Sequence, residues 1–153
     1  IALIECRQFS SKDSPKFYPG GSLGKRLYTK VSDIYDRENR PHVYIDDYIR
    51  DVIIAMSAGR LGAVAVLDAD NKLSGIVTDG DLRRMLERHK DIEGLKAVDV
   101  MTKNPKCIAD SELAYNAFRV MEQNSITQLV VVDENMFYYG MIHLHDILKE
   151  GIV

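Results

Sequence analysis

Several things are scarce in this chain of 153 residues, and each scarcity closes a route. Two cysteines, Cys6 and Cys107, are too few for a disulfide framework, so a reducing compartment is the simpler reading and a cytoplasmic protein is expected. Basic charge is not in excess. With 20 Lys and Arg against 23 Asp and Glu the net charge is −3, which offers no broad footprint for nucleic acid. Long hydrophobic runs are missing as well: residues 62–67 and 129–132 are far too short to span a bilayer, and no membrane partner is expected. No nucleophile–base set is visible, because Cys107 has no His partner in sequence and reads as a buried thiol. Metal-ligand spacing is equally thin. His42 and His89 have none; His143 and His145 would share a face on an extended strand near Asp146, but nothing else joins them, and no metal is expected.

What is present is globular, at 46% hydrophobic and 28% charged. The chain is organised around Gly75-Ile76-Val77-Thr78-Asp79-Gly80-Asp81-Leu82-Arg83-Arg84. Ile76 and Val77 are strand formers, Gly80 permits an unusual backbone angle, and Asp81 falls where a helix N-cap belongs. Leu82, Met85 and Leu86 follow at helical spacing, with Arg83, Arg84, Glu87 and Arg88 on the other face. A strand-to-helix turn of this kind aims backbone N–H groups and a helix dipole at one spot, which suits an anion. The Thr78 hydroxyl and the Asp81 carboxylate add a donor and an acceptor for a phosphorylated ribose.

The same stretch recurs 65 residues later as Gly140-Met141-Ile142-His143-Leu144-His145-Asp146-Ile147-Leu148-Lys149. The offset carries Val43 onto Ile108 and Asp68 onto Asp133. It also carries the helical set Ile49, Val52, Ile53, Met56 onto Ala114, Ala117, Phe118, Met121. Gly59 falls on Asn124, the two residue types that best tolerate a left-handed helix end. A repeat of this period is a duplicated fold unit. One such unit alone would bury a marginal core, so the two are expected to pack face to face.

In chain order, residues 1–7 read as the end of an apolar helix cut partway, and the natural protein is expected to extend upstream. Residues 9–17 suit a short helix capped by Ser10 or Ser11 and limited by Pro15. Gly20 and Gly24 are three residues apart, and Arg26, not Ser or Thr, follows Lys25, so this run reads as an interdomain connection and not as a P-loop. Val31 to Tyr35 echoes Ala97 to Met101 as a lead-in segment. Each half then has a short strand, an acidic helix start (Asp46-Asp47 or Asp110-Ser111) and the amphipathic helix. A hairpin turning at residues 68–71 or 133–135 follows, and the strand–turn–helix element closes each half. The order is β-α-β-β-α twice, an α/β (α+β) fold.

Tandem β-α-β-β-α units ending in Gly-apolar-apolar-Thr-x-x-Asp resemble the cystathionine-β-synthase (CBS) domain pair. Thr78 to Arg84, Val98 to Thr102, His143 to Leu148 and Pro19 to Gly24 together resemble the C-terminal half of bacterial arabinose-5-phosphate isomerases, which place a sugar-isomerase (SIS) domain before a CBS pair. The resemblance covers the whole chain. It implies a pseudo-two-fold pair divided at 1–30 (end of the SIS domain and linker), 31–92 and 93–153. It also implies a parent that interconverts ribulose 5-phosphate and arabinose 5-phosphate on the way to 3-deoxy-manno-octulosonate (Kdo), while this stretch lacks catalysis. The family's linker motif is His-Pro-Gly-Gly, whose His serves the isomerase active site; here that position is Tyr18, and Ser14 and Pro15 also depart from the family pattern.

The ligand set implied is Thr78, Asp81, Arg83 and Arg84 in one half, His143, His145 and Asp146 in the other, with Val43 and Ile108 at matched strand positions. The commonest job of an Asp at such turns is helix capping, and exposed helix arginines are usually a solvated face; the repeat and the resemblance favour ligand contact. Because His143 replaces Thr78 and His145 replaces Gly80, the clefts are expected to be unequal, with the Asp81 cleft the tighter. No cofactor is required. The candidate effector is the pathway's nucleotide-linked product CMP-Kdo, or an adenine or cytidine nucleotide. A CBS-mediated dimer, within a tetrameric parent, is the expected assembly, and a ligand-free oligomerisation module is the rival reading.

Overall fold

The computed structural model describes residues 22–153. The expectations for residues 1–17, for Cys6 and Tyr18, and for the start of the Gly-rich run lie outside the described residues. The end of that run is helical: α1 (Ser22–Tyr28) contains Gly24, which is buried. A 3-10 turn, Val31–Asp33, leads into the first repeat, β1 (His42–Tyr44), α2 (Ile49–Gly59), β2 (Ala63–Leu67), β3 (Leu73–Thr78) and α3 (Asp79–Arg88). The second has α4 (Ala97–Val100), β4 (Thr102–Lys103), β5 (Cys107–Ala109), α5 (Ala114–Asn124), β6 (Gln128–Val132), β7 (Tyr138–His143) and α6 (Leu144–Lys149).

One sheet has the order β1-β2-β3-β4, the other β5-β6-β7; β1 and β5 run parallel to their neighbours and the remaining pairs are antiparallel. Both hairpins turn alike. Asp68 Oδ1 accepts from the N–H groups of Asp70 and Lys72, and Asp133 Oδ1 from those of Asn135 and Phe137. Asn71 and Met136 take the left-handed conformation at φ 65° and 68°.

β2 is buried along its whole length because it is covered on both faces. Val64 and Val66 face α2 and α3, packing with Val52, Met56 and Met85. Ala63, Ala65 and Leu67 face the other sheet, where they meet Cys107, Val130, Val132, Tyr138 and Met141. On the far side Leu129, Val131 and Ile142 pack with Ala117, Met121 and Ile147. The two units do pack face to face, in four layers, helix–sheet–sheet–helix.

The lead-ins cross over. Val31 and Tyr35, which precede the first repeat in sequence, are buried in the core of the second. Ala97, Val100 and Met101, which precede the second, join the core of the first. The same crossing starts the amphipathic helices: the Ile49 N–H donates to Leu95 O and the Ala114 N–H to Thr29 O. Those starts lie two or more residues beyond Asp46-Asp47 and Asp110-Ser111, which serve the preceding turns instead; Asp47 Oδ2, for example, accepts from the Tyr44 N–H.

Candidate functional site

The α3 start differs from the sequence expectation in one respect: Thr78, not Asp81, is the N-cap. The helix begins at Asp79, so Gly80 is helical and is not in the left-handed region. Asp81 is the third helical residue and closes a capping box. Thr78 Oγ1 accepts from the Asp81 N–H at 3.3 Å, while Asp81 Oδ2 accepts from the Thr78 N–H at 2.9 Å. The Asp81 carboxylate is buried, yet it is fully engaged. Oδ2 also accepts from the Thr78 hydroxyl at 3.1 Å, and Oδ1 accepts from Arg84 Nη2 at 2.7 Å and the Thr102 hydroxyl at 2.9 Å.

Thr102 comes from the second repeat's lead-in, and Gly75 lets it arrive. A Cβ at Gly75 would stand 2.8 Å from Thr102 O, so only glycine allows β4 this close to β3. On the cleft side, Thr78, Ile76 and Thr102 line a cavity of about 280 Å³ with Lys106, Ile126 and Gln128. Behind the Asp81–Thr102 wall, Arg84, Arg88 and His89 line a second, more polar cavity of about 250 Å³. The arrangement offers hydroxyls, an ammonium and apolar walls on one side of a buried carboxylate, and on the other the guanidinium groups of Arg84 and Arg88 with the Asp99 carboxylate among them. Thr102 closes the Val98 to Thr102 segment that carries the resemblance but has no site role there, and Lys106 and Gln128 carry no sequence signal of their own, since a wall built from the other repeat has no periodic spacing to Thr78.

In the second half the cap is His143, whose Nδ1 accepts from the His145 N–H at 3.0 Å. Burial holds the His143 pKa below its ordinary value, against the opposing pull of Asp146. The strand ends at His143, so His145 lies in the first turn of α6 and the two imidazoles do not share a strand face. Among the described residues no group of three or more His, Cys, Asp or Glu is placed to hold a metal. The Cys107 thiol is buried and its pKa is pushed up by burial.

The candidate residues divide. Thr78, Asp81 and Arg84 come together; Arg83 and His145 are exposed. Val43 and Ile108 are not cleft residues. Both point to the helix side of their sheets, at 4% and 1% exposure, because alternation along β1 and β5 turns the matched position into the two outer cores.

A model of the CBS domain family matches residues 31–88 and 97–152. The arabinose 5-phosphate isomerase KdsD of Pseudomonas aeruginosa PAO1 is 40% identical over 154 aligned positions, which cover 100% of this chain and 47% of that protein. The chain thus spans about half the length of the curated relatives it matches. Among solved structures, an acetoin utilization protein (AcuB) from Vibrio cholerae is similar at a TM-score of 0.72 and 25% identity, covering 82% of this chain and 92% of that one. The CBS domain protein PAE2072 from Pyrobaculum aerophilum, solved with AMP, has a TM-score of 0.70 at 20% identity and covers 81% and 99%.

Proposed function

The chain belongs to the CBS domain family, and from that premise we propose that it is the nucleotide-sensing regulatory pair of an arabinose-5-phosphate isomerase. In this reading residues 1–30 are linker and the end of the isomerase domain, 31–92 the first unit and 93–153 the second. The catalytic domain lies outside this stretch, so the chain alone turns over no arabinose 5-phosphate, and the whole protein works in the cytoplasm, where its sugar phosphates are made.

The observation that carries the proposal is the buried Asp81 carboxylate behind the Thr78–Thr102 wall of the cleft. A carboxylate offers about four acceptor positions, and all are in use. A ribose diol entering the cleft therefore exchanges with the Thr102 hydroxyl and the Arg84 guanidinium. Freed from Asp81, Arg84 can pair with the ligand's phosphate. Thr78, Asp81 and Arg84 hold the ligand in the first half; His143 and Asp146 form the weaker counterpart. Ile76 and Ile126 supply apolar walls that accept either a purine or a pyrimidine. An adenine nucleotide is the leading ligand, since PAE2072 was solved with AMP; CMP-Kdo, the nucleotide-linked pathway product, is the second candidate.

Thermal denaturation with millimolar AMP, ATP, CMP and CMP-Kdo tests this. A ligand that binds the folded state raises the midpoint. No shift with any of the four would leave the structural reading, in which the pair only holds subunits together. One observation favours that second role: Ile53, Ile54 and Leu86 on the helices of the first unit, with Tyr48 at the cap of α2, are 40–60% exposed. An apolar groove of about 540 Å³ lined by Tyr48, Ile53, Ile54 and Ile92 accompanies them. Such a face suits a symmetric dimer. Sedimentation of Ile54→Glu against the native chain checks it, with loss of a dimer expected.

A further inference from the structure

At the hairpin end of the molecule, β1 of the first unit and β7 of the second enclose a recess of about 550 Å³. Its walls are His42, Tyr44, Phe137, Tyr138 and Tyr139, with Arg40 beside them. It is remote from the cleft. Ala63 pairs with Thr78 at one end of β2, and Leu67, which lines the recess, pairs with Leu73 at the other. Those ends are about 13 Å apart at the usual rise of a strand. None of Thr78, Asp81, His143 or Asp146 lines the recess.

The rings are not a requirement of the fold. The duplication supplies a control, because each wall residue has a counterpart 65 positions away. Opposite His42 and Tyr44 stand Cys107 and Ala109; opposite Phe137, Tyr138 and Tyr139 stand Lys72, Leu73 and Ser74. The twin strands form the same ladders, with the same registers, and carry no aromatic side chain at any of these positions.

The walls are also held in place. The His42 ring meets Tyr44 at 5.8 Å and Tyr138 at 5.9 Å, both edge to face. The Tyr138 hydroxyl donates to Pro41 O at 2.8 Å, and the Tyr44 hydroxyl to Asn71 Oδ1 at 3.0 Å. Arg40 lies over Tyr138 and donates from Nε to Tyr139 O and from Nη2 to Tyr138 O. Tyr44, Phe137 and Tyr139 still leave 36–39% of their surface to solvent.

The charged side chain that lines the recess is cationic, and the nearby turn carboxylates of Asp68 and Asp133, which accept from the Lys72 and Phe137 N–H groups, are not part of its lining. Arg40 uses two of its five N–H donors on backbone carbonyls, and Lys72 sits 5.7 Å from the centre of the Phe137 ring. Neither has a carboxylate partner among the described residues, and no Asp or Glu lines the cavity. A preformed pocket of this size, walled by aromatic faces and edged by cations that make no ion pair among the described residues, suits a flat ring and a negative charge together.

We propose that this recess is a second ligand site, for a planar aromatic ring that carries a phosphate or carboxylate group. Phenyl phosphate is the minimal probe, with inorganic phosphate and phenol as charge-only and ring-only controls. Aromatic ¹H–¹³C spectra of the full chain, titrated with each, report the Tyr44, Phe137 and Tyr139 rings directly. Phenyl phosphate is expected to shift those signals along a saturating curve, with an affinity at least roughly tenfold above either control. The double variant Tyr44→Ala/Tyr139→Ser carries the residues its own twin already has, so it keeps the fold, and it should weaken phenyl phosphate by roughly tenfold. Four results overturn the proposal: no saturating shift at millimolar phenyl phosphate, equal affinity for phenol or for phosphate, unchanged affinity in the double variant, or shifts confined to Thr78 and its neighbours. The last would leave the cleft reading intact and remove the recess alone.

Discussion

At Asp81 a structural role and the proposed binding role fall on one residue. Its carboxylate is 5% exposed and satisfies donors from Thr78, Arg84 and Thr102. Asp81→Asn puts an amide where acceptors are needed, and urea unfolding should show a loss of about 1.5–3 kcal/mol. Arg84 contributes little of that, since its side chain is 54% exposed and screened by water. In calorimetric titration with the best nucleotide, Asp81→Ala should weaken the tight phase roughly 10–100-fold and Asp146→Ala less; the reverse order would make the histidine half the sensor. His143 is tested by pH. Its folded pKa is depressed by burial, and its Nδ1 accepts a backbone N–H, so the folded state favours the neutral ring. The unfolded ring, with a pKa of 6.5, takes up a proton first, so this stability is present above 6.5 and is lost as pH falls from there through the folded value. The thermal midpoint of the native chain should therefore fall more steeply below that pH than that of His143→Thr; parallel curves would remove the argument. Thr78 and Asp81 were legible as a pair in the sequence. Which of them caps was not, because that depends on the residue at which the helix begins.

Among the elements, the ends of α2 and α5 are the instructive case. The residue pattern points to Gly59 and Asn124 as the left-handed positions, whereas the structure puts Arg60 and Ser125 there, at φ 59° and 54°. The 65-residue spacing holds; the stop is one residue further on. Gly59 is glycine for another reason: a Cβ there would stand 2.7 Å from Pro41 Cβ. Close approach and left-handed backbone both demand glycine, and sequence alone does not separate them. The two substitutions do. Gly59→Ala improves helix propensity but overlaps a buried proline, so a loss of about 1–3 kcal/mol is expected from overpacking. Arg60→Gly relieves a left-handed backbone that costs a side chain about 1 kcal/mol, so the unfolding midpoint in urea should rise. If the signs come out reversed, Gly59 and not Arg60 is the left-handed residue.

For the whole molecule, the repeat and the face-to-face packing were readable because apolar spacing recurs with a fixed period. The crossing of the lead-ins was not. Exchanging two equivalent segments between two equivalent units leaves every sequence period unchanged, so only the packed structure distinguishes the arrangements. The crossing matters for cooperativity: each unit's core is completed by residues that precede the other, and Gln128 Nε2 adds a bond to Leu61 O across the pair. Val31 is the cleanest probe. It sits ahead of the first unit in sequence but is fully buried with Ile108, Leu129 and Ile142 of the second. Val31→Ala removes two buried methyl groups, about 0.8 kcal/mol each by transfer, and leaves a void that raises the cost to about 2–3 kcal/mol. With the units interlocked, that loss should lower one shared transition. Ring signals from Tyr48 in the first unit and Tyr115 in the second should then disappear at the same, lower urea concentration. Were the halves independent, Tyr115 would melt early while Tyr48 kept its native midpoint, and the crossing would be a packing detail without thermodynamic consequence.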